Sequence, residues 1–384
     1  MTATQDIDNW RVVAAVLLYE QLHDGSRHGV AKQIAVRMGA DPAAVSRWLD
    51  AGRDAGLLNE RVIVDKSKAT PSALQKAKNE ILKHDEGTKV DSNKLKQRLR
   101  DWGVEDVFVS PTHDHLDYGP RLDRFAADIA SDLKTKLSHC SQVGVAWGET
   151  VARCIRAVTN SKRPRTALRN KASIDFVPLC GEQPLYTPYS ATRLAGELHE
   201  YFNVRASKQP LSLAGVPAYL PHGQSRTDRE ALMKAVRSAV PDFAEVFGKG
   251  RGQTRRADRC DLVLASAGVL GQHVLDHLIR DLPSDKLKSD FRSLIIGDCC
   301  GALISRRELA GDYKKLVDDC QAQWTGANLH ELTSGWGEPR VLLVAINENK
   351  GEICDALIRR MQWIKYLFCD QSLARRLLER LKSH

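Results

Sequence analysis

Apolar positions in the first sixty residues recur at helical spacing in three short segments. In WRVVAAVLLYEQ (10–21) Trp10, Val13 and Leu17 share a face, which predicts a helix. His23 to His28 reads as a loop, with Asp24-Gly25 as a turn signal. VAKQIAVRM (30–38) sets Val30, Ile34 and Met38 on one inner face, and Gly39-Ala40 supplies a tight turn. Asp41 suits an N-cap, because its carboxylate can accept a free backbone N–H of the next helix. Pro42 suits the first helical position, where its missing N–H costs nothing. The third helix is expected from Pro42 to about Ala55, burying Val45, Leu49 and Gly52. Gly56 is placed to end it in a left-handed cap, and Leu57-Leu58 returns to the core. Helix, glycine-containing turn and capped amphipathic helix make a helix-turn-helix layout.

In that layout the first turns of the last helix enter a DNA major groove. Its outward face offers Ala43, Ser46, Arg47 and Asp50, and the preceding helix offers Lys32 and Gln33. Arg47 can bind a guanine edge with two hydrogen bonds, and Ser46 a base or a phosphate. Arg53 and Lys32 are better placed for phosphates, which position a protein without reading sequence. A helical protein-interaction module is the competing reading of the same three helices. RVIV (61–64) reads as a short strand, a candidate wing. Thr70 to Lys83 reads as a helix with Leu74, Ala77 and Ile81 on one face, HDEGTKVDSN (84–93) as a loop, and Leu95 to Trp102 as a helix.

From residue 104 the pattern switches to strands alternating with helices. VEDVFVS (104–110), SQVGVAW (141–147), SIDFVPLCG (173–181), CDLVLASAG (260–268), RVLLVAIN (340–347) and IKYLFCD (364–370) read as strands. Arg121–Leu137, Glu149–Val158, Lys350–Gln362 and Gln371–Leu381 read as helices. Such alternation predicts an α/β domain with a doubly wound, mostly parallel sheet. Ligands of such sheets bind at the carboxyl ends of the strands. Gly148, Gly181 and Gly268 are expected at that edge, where a missing Cβ lets backbone N–H groups approach a ligand. Thr150 adds a hydroxyl, and Lys350 lies just past a strand end. These glycines have a plainer reading too, as residues the turns need.

Composition adds bounds. At 384 residues the chain exceeds one ordinary core. We divide it into residues 1–64, a reader; 65–102, a linker; and 103–384, an effector-binding and oligomerisation domain. Its net charge of +9 fits a nucleic-acid partner. The charge is uneven: residues 66–100 carry ten Lys or Arg against four acids, while residues 1–64 carry seven basic and eight acidic side chains. The basic stretch reads as a solvated linker face or as an aid to phosphate contact beside the reader. Nine cysteines without a CxxC pair argue for reduced thiols, most of them acting as small hydrophobes. Cys299-Cys300 is the one candidate redox pair. No run of about 18 apolar residues and no basic-then-apolar leader is present, so no membrane span is expected and a cytoplasmic location is.

The ordered set of segments resembles the SorC-type bacterial transcription regulators. VAKQIAVRMGADPAAVSRWLDAGRDAGLL is similar to that family's DNA reader, and VGVAWGETV (143–151) to its phosphate loop. FVPLCG, VPAYLP, DLVLASAG and GDCCGALIS follow in the family's order, and the stretch from VLLVAINENKGE to SLARRLL resembles its C-terminal end. The resemblance implies an effector domain related to sugar-phosphate isomerases and deaminases with catalysis lost. It also implies self-association as a dimer or tetramer on palindromic operator DNA. By position it assigns Gly148, Thr150, Gly181 and Lys350 to the phosphate of a carbohydrate-like effector, with Trp147, Glu149 and Gly268 in the same rim, and Asp298 near the sugar. Three departures bear on the ligand. Glu149 replaces a small hydroxyl residue and would repel a phosphate; Ser266-Ala267-Gly268 and Ile346-Asn347 replace glycine-richer steps.

A ligand-responsive DNA-binding regulator is therefore the leading expectation, without catalytic residues, metal or cofactor. Two alternatives stay open. One is an isomerase- or deaminase-like enzyme with a DNA-binding head, for which the His113, Asp114, His115 and Asp117 cluster is a candidate metal group or a plain surface loop. The other is a DNA-binding protein whose effector pocket is degenerate.

Overall fold

The protein is described from a computed structural model. It describes residues 9–22, 30–55, 57–58, 69–86, 90–111, 118–161, 173–182, 189–203, 209–220, 226–248, 255–270, 278–280, 282 and 284–382. The candidate wing at 61–64, the turn at Asp24-Gly25, the proposed cap Gly56 and the cluster at 113–117 lie outside these residues.

Five helices come first: α1 (Trp10–Leu22), α2 (Val30–Met38), α3 (Pro42–Asp54), α4 (Pro71–Glu86) and α5 (Ser92–Leu99). Asp41 caps α3, accepting the Ala43 N–H at 2.6 Å, and Pro42 occupies the first turn. Removing the cap by Asp41→Ala is expected to cost about 1 kcal/mol, read as a lower denaturation midpoint at unchanged slope. Val45, Leu49 and Gly52 face inward, joining Val13, Val16, Ile34, Leu57, Ala73 and Ala77 in one small core. Gly52 is required by packing: an added Cβ would lie 2.5 Å from Val16 Cγ2. That close approach explains a helix-weakening glycine mid-helix. The stretch 84–93 is less loop-like than its polarity suggests, because α4 runs through Glu86 and α5 begins at Ser92, capped by Asp91.

Six parallel strands follow: β1 (Asp106–Ser110), β2 (Gln142–Val145), β3 (Asp175–Pro178), β4 (Leu262–Ala265), β8 (Val341–Ala345) and β9 (Ile364–Asp370). Their order is β1-β9-β8-β4-β2-β3. Alternate residues feed two cores, one on each face. Val107, Val263, Leu343 and Leu367 point to the side of α5, whereas Phe108, Leu264, Leu342 and Phe368 point to that of α6 (Tyr118–Ser138), α7 (Glu149–Thr159) and α8 (Ala191–Phe202). Burial on both faces is why these strands read as continuous apolar runs.

A second sheet departs from the sequence expectation. The segment 260–268 is not one strand. The chain leaves the parallel sheet after Ala265 and starts β5 (Ala267–Val269), which pairs antiparallel with β6 (Ile295–Cys299), itself paired with β7 (Ala302–Ser305). Gly268 thus sits mid-strand opposite Asp298, not at the edge of the parallel sheet. The expected helix from Lys350 is also broken up, into a 3-10 turn at Glu348–Lys350, an α-helix Gly351–Asp355 and a π-helical stretch Ala356–Arg360.

Candidate functional site

The carboxyl edge of the parallel sheet gathers the chemistry. Lys350 lies in the 3-10 turn after β8 and is buried. Burial lowers its pKa, against the favourable charges of Asp370 and Asp298. Asp298, on β6, is buried as well, and burial raises its pKa to about 7, opposed by a hydrogen bond from the Gly301 backbone and by Lys350. Gly268 is needed here because a Cβ on it would lie 2.5 Å from Asp298 Oδ1. Asp370 ends β9; its carboxylate accepts from the Asn347 N–H at 3.2 Å and from the Ser372 hydroxyl and Leu373 N–H at 3.0 Å. Two strand ends and the helix Gln371–Lys382 therefore share one acid.

Gly148 precedes α7 with φ 130°, a conformation that favours glycine. Thr150 is buried in the first turn, hydrogen-bonded to Tyr118 of α6. Glu149 folds back on Arg153 at 3.2 Å, and Arg153 also holds Asp123 at 2.7 Å. That ion pair offsets the carboxylate at the helix start. Gly181 has a structural cause: a Cβ would lie 2.4 Å from the Val216 carbonyl oxygen.

Beside Asp298 a narrow crevice of about 10 Å³, room for roughly one water molecule, is lined by Tyr219, Leu278, Gly301, Gln321 and Trp324 among others. Trp324 lines it, its ring centroid 6.1 Å from that of Trp147 and 5.0 Å from that of Tyr219 in an edge contact. Its indole N–H is buried and lacks a partner among the described residues. Aromatic faces, an acid, an amide and an unpartnered indole N–H thus line one narrow crevice.

The structure thus brings together Trp147, Gly148, Glu149 and Thr150 on one element, and Asp298, Gly268 and Lys350 on adjoining ones. Sequence reasoning missed Tyr118, Tyr219, Gln321 and Trp324, which carry no periodic or motif signal. Cys299 and Cys300 are buried free thiols whose pKa values burial pushes up, which favours the protonated form over a reactive thiolate.

On the N-terminal helices, Ala43, Ser46, Arg47, Asp50 and Arg53 are exposed along α3, and Lys32 is exposed on α2. Ser46 donates to the Pro42 carbonyl at 3.1 Å, and Arg53 pairs with Asp50 at 2.6 Å. The Gln33 side chain lies outside the described set. Arg37, on α2, instead turns inward and forms an ion pair with Glu348 of the turn that carries Lys350.

No family model matches the chain, and no curated protein matches its sequence. Solved structures do. The full-length sorbitol operon regulator SorC of Klebsiella pneumoniae aligns at 17% identity and TM-score 0.51, covering 96% of this chain and 98% of that one. A transcriptional regulator of Streptococcus pneumoniae TIGR4 aligns at 12% identity and TM-score 0.55, covering 75% and 97%. A DeoR family transcriptional regulator of Listeria monocytogenes aligns at 17% and 0.53, covering 74% and 99%. The chain has the fold of these regulator structures, and with SorC it shares that fold over nearly its whole length.

Proposed function

We propose that the chain is a SorC-type transcription regulator that binds operator DNA through α3 and responds to a small carbohydrate-like ligand at the sheet edge. The carrying observation is the likeness to full-length SorC over 96% of the chain, N-terminal helices included. The exposed row Ala43, Ser46 and Arg47 on a helix whose other face is buried supports the reading. In this account residues 1–64 read DNA, 65–102 connect, and 103–384 bind ligand and associate as a dimer or tetramer. Ligand binding favours one arrangement of the oligomer and so changes operator affinity. The ligand is held at the sheet edge beside Lys350 and Asp298, where the crevice at Trp324 must widen to admit it.

The test is anisotropy with a duplex spanning the region upstream of the chain's own gene. Arg47→Ala should weaken binding about tenfold to a hundredfold, the range for losing one bidentate base contact of about 1–3 kcal/mol. Equal binding by parent and variant would remove α3 as the reader. Thermal-shift screening against free sugars and their phosphate esters identifies the ligand class; a chain that no sugar stabilises has a degenerate pocket. A second reading, turnover of a sugar phosphate, draws on Asp298, whose raised pKa beside a buried lysine is a pattern of acid–base sites. Product formation by purified protein would favour it.

A further inference from the structure

The turn after β8 faces two ways. Lys350, whose charge acts on the crevice residue Asp298, stands two residues from Glu348, whose side chain is 8% exposed and lies between Arg37 and Arg375. Arg37 is 10% exposed, although Val36 beside it is 73% exposed. Its guanidinium is therefore withdrawn from solvent and from the row that α3 presents. Helix α1 also lies against this turn. The N-terminal helices thus rest directly on the turn that carries Lys350.

The turn itself is under tension. Asn347 has φ 87°, a left-handed conformation that costs energy in a residue with a Cβ. Its Oδ1, and that of Asn349, are buried without a hydrogen-bond partner among the described residues. Asp370 fixes the Asn347 N–H and caps the helix that carries Arg375. Any ligand that engages Lys350 must act on this same short turn. A buried ion pair tends to be either fully made or abandoned, because one stranded charge is costly. We infer that Glu348 is a positioning residue that ties the pose of the N-terminal helices, through Arg37, to the state of the pocket edge.

The docked pose leaves Ser46 and Arg47 exposed, so the ion pair holds the reader pre-positioned. Losing it should weaken DNA binding without altering base preference. The DNA arm of the test rests on the function proposed above; the docking arm does not. Hydrogen exchange of the full chain should show residues 30–38 exchanging at least tenfold faster in Glu348→Gln than in the parent, with β8 unchanged. Arg37→Met should do the same, and the double variant should add nothing further. On the upstream duplex both single variants should bind about tenfold more weakly, at unchanged base preference. Unchanged exchange in α2, or additive effects of the two substitutions, would overturn the inference. A parent chain that binds no duplex, with α2 still loosened in Glu348→Gln, would refute the DNA reader and leave the ion pair standing.

Discussion

Gly301→Ala is expected to destabilise the fold by about 3 kcal/mol and to spoil the cleft with it. Two independent costs add. Gly301 has φ 73°, in the left-handed region, where an L side chain costs roughly 1–2 kcal/mol. An added Cβ would also lie 2.0 Å from Trp324 Cε2 and 2.3 Å from Cζ2 and Nε1, far inside van der Waals contact. The indole cannot simply swing away, since Tyr219 and Trp147 pack beside it, so overpacking of roughly 1–3 kcal/mol follows. Denaturant melts measure the loss. Trp324→Ala separates the causes: alone it costs about 3–5 kcal/mol, but with the indole gone only the backbone part of the Gly301→Ala penalty remains. The double variant should therefore be more stable than the two single losses predict. Strict additivity would mean that the methyl and the indole never meet.

The same corner shows why the sequence was legible in some places and not in others. Ile364–Asp370 was readable to the residue, because a strand buried on both faces is a continuous apolar run and the next helix starts at once. Asp41, Pro42 and the buried row of α3 were equally open, since caps and helical periodicity are local. The β6–β7 hairpin was not. Its turn places Cys300 at φ 45° and Gly301 at φ 73°, the both-positive pattern usually announced by Asn-Gly, and here written Cys-Gly. Without that signal nothing local announces the second sheet, or that Gly268 lies inside one of its strands and not in the turn after β4. The cleft's aromatic wall failed for another reason. Tyr219 and Trp324 come from irregular segments joined by an isolated bridge, and their meeting is tertiary. Glu348 and Arg37 stand more than 300 residues apart, so nothing local couples them.

Asp298→Asn is expected to flatten the pH dependence of stability between about pH 4 and 7. Asp298 has an ordinary value of 3.8 that burial raises to about 7. Across that window the folded chain keeps a proton that the unfolded chain has released. Its stability must then fall as pH rises from 3.8 towards 7, and no difference remains below 3.8. The interval is roughly three pH units, each worth about 1.4 kcal/mol, so the whole effect is at most about 4 kcal/mol. The Lys350 pKa is lowered, so that residue contributes the opposite slope on its alkaline side, which makes the acid half of the range the cleaner one to measure. Asparagine keeps the shape and still accepts from the Gly301 backbone, but carries no proton to lose. Denaturation midpoints of parent and variant should converge below about pH 4 and separate up to about pH 7, with the parent losing more. Parallel profiles would mean that Asp298 is already ionised at pH 5, held so by Lys350 against its burial; the acid would then enter any ligand contact as a fixed charge, not as a hydroxyl able to donate.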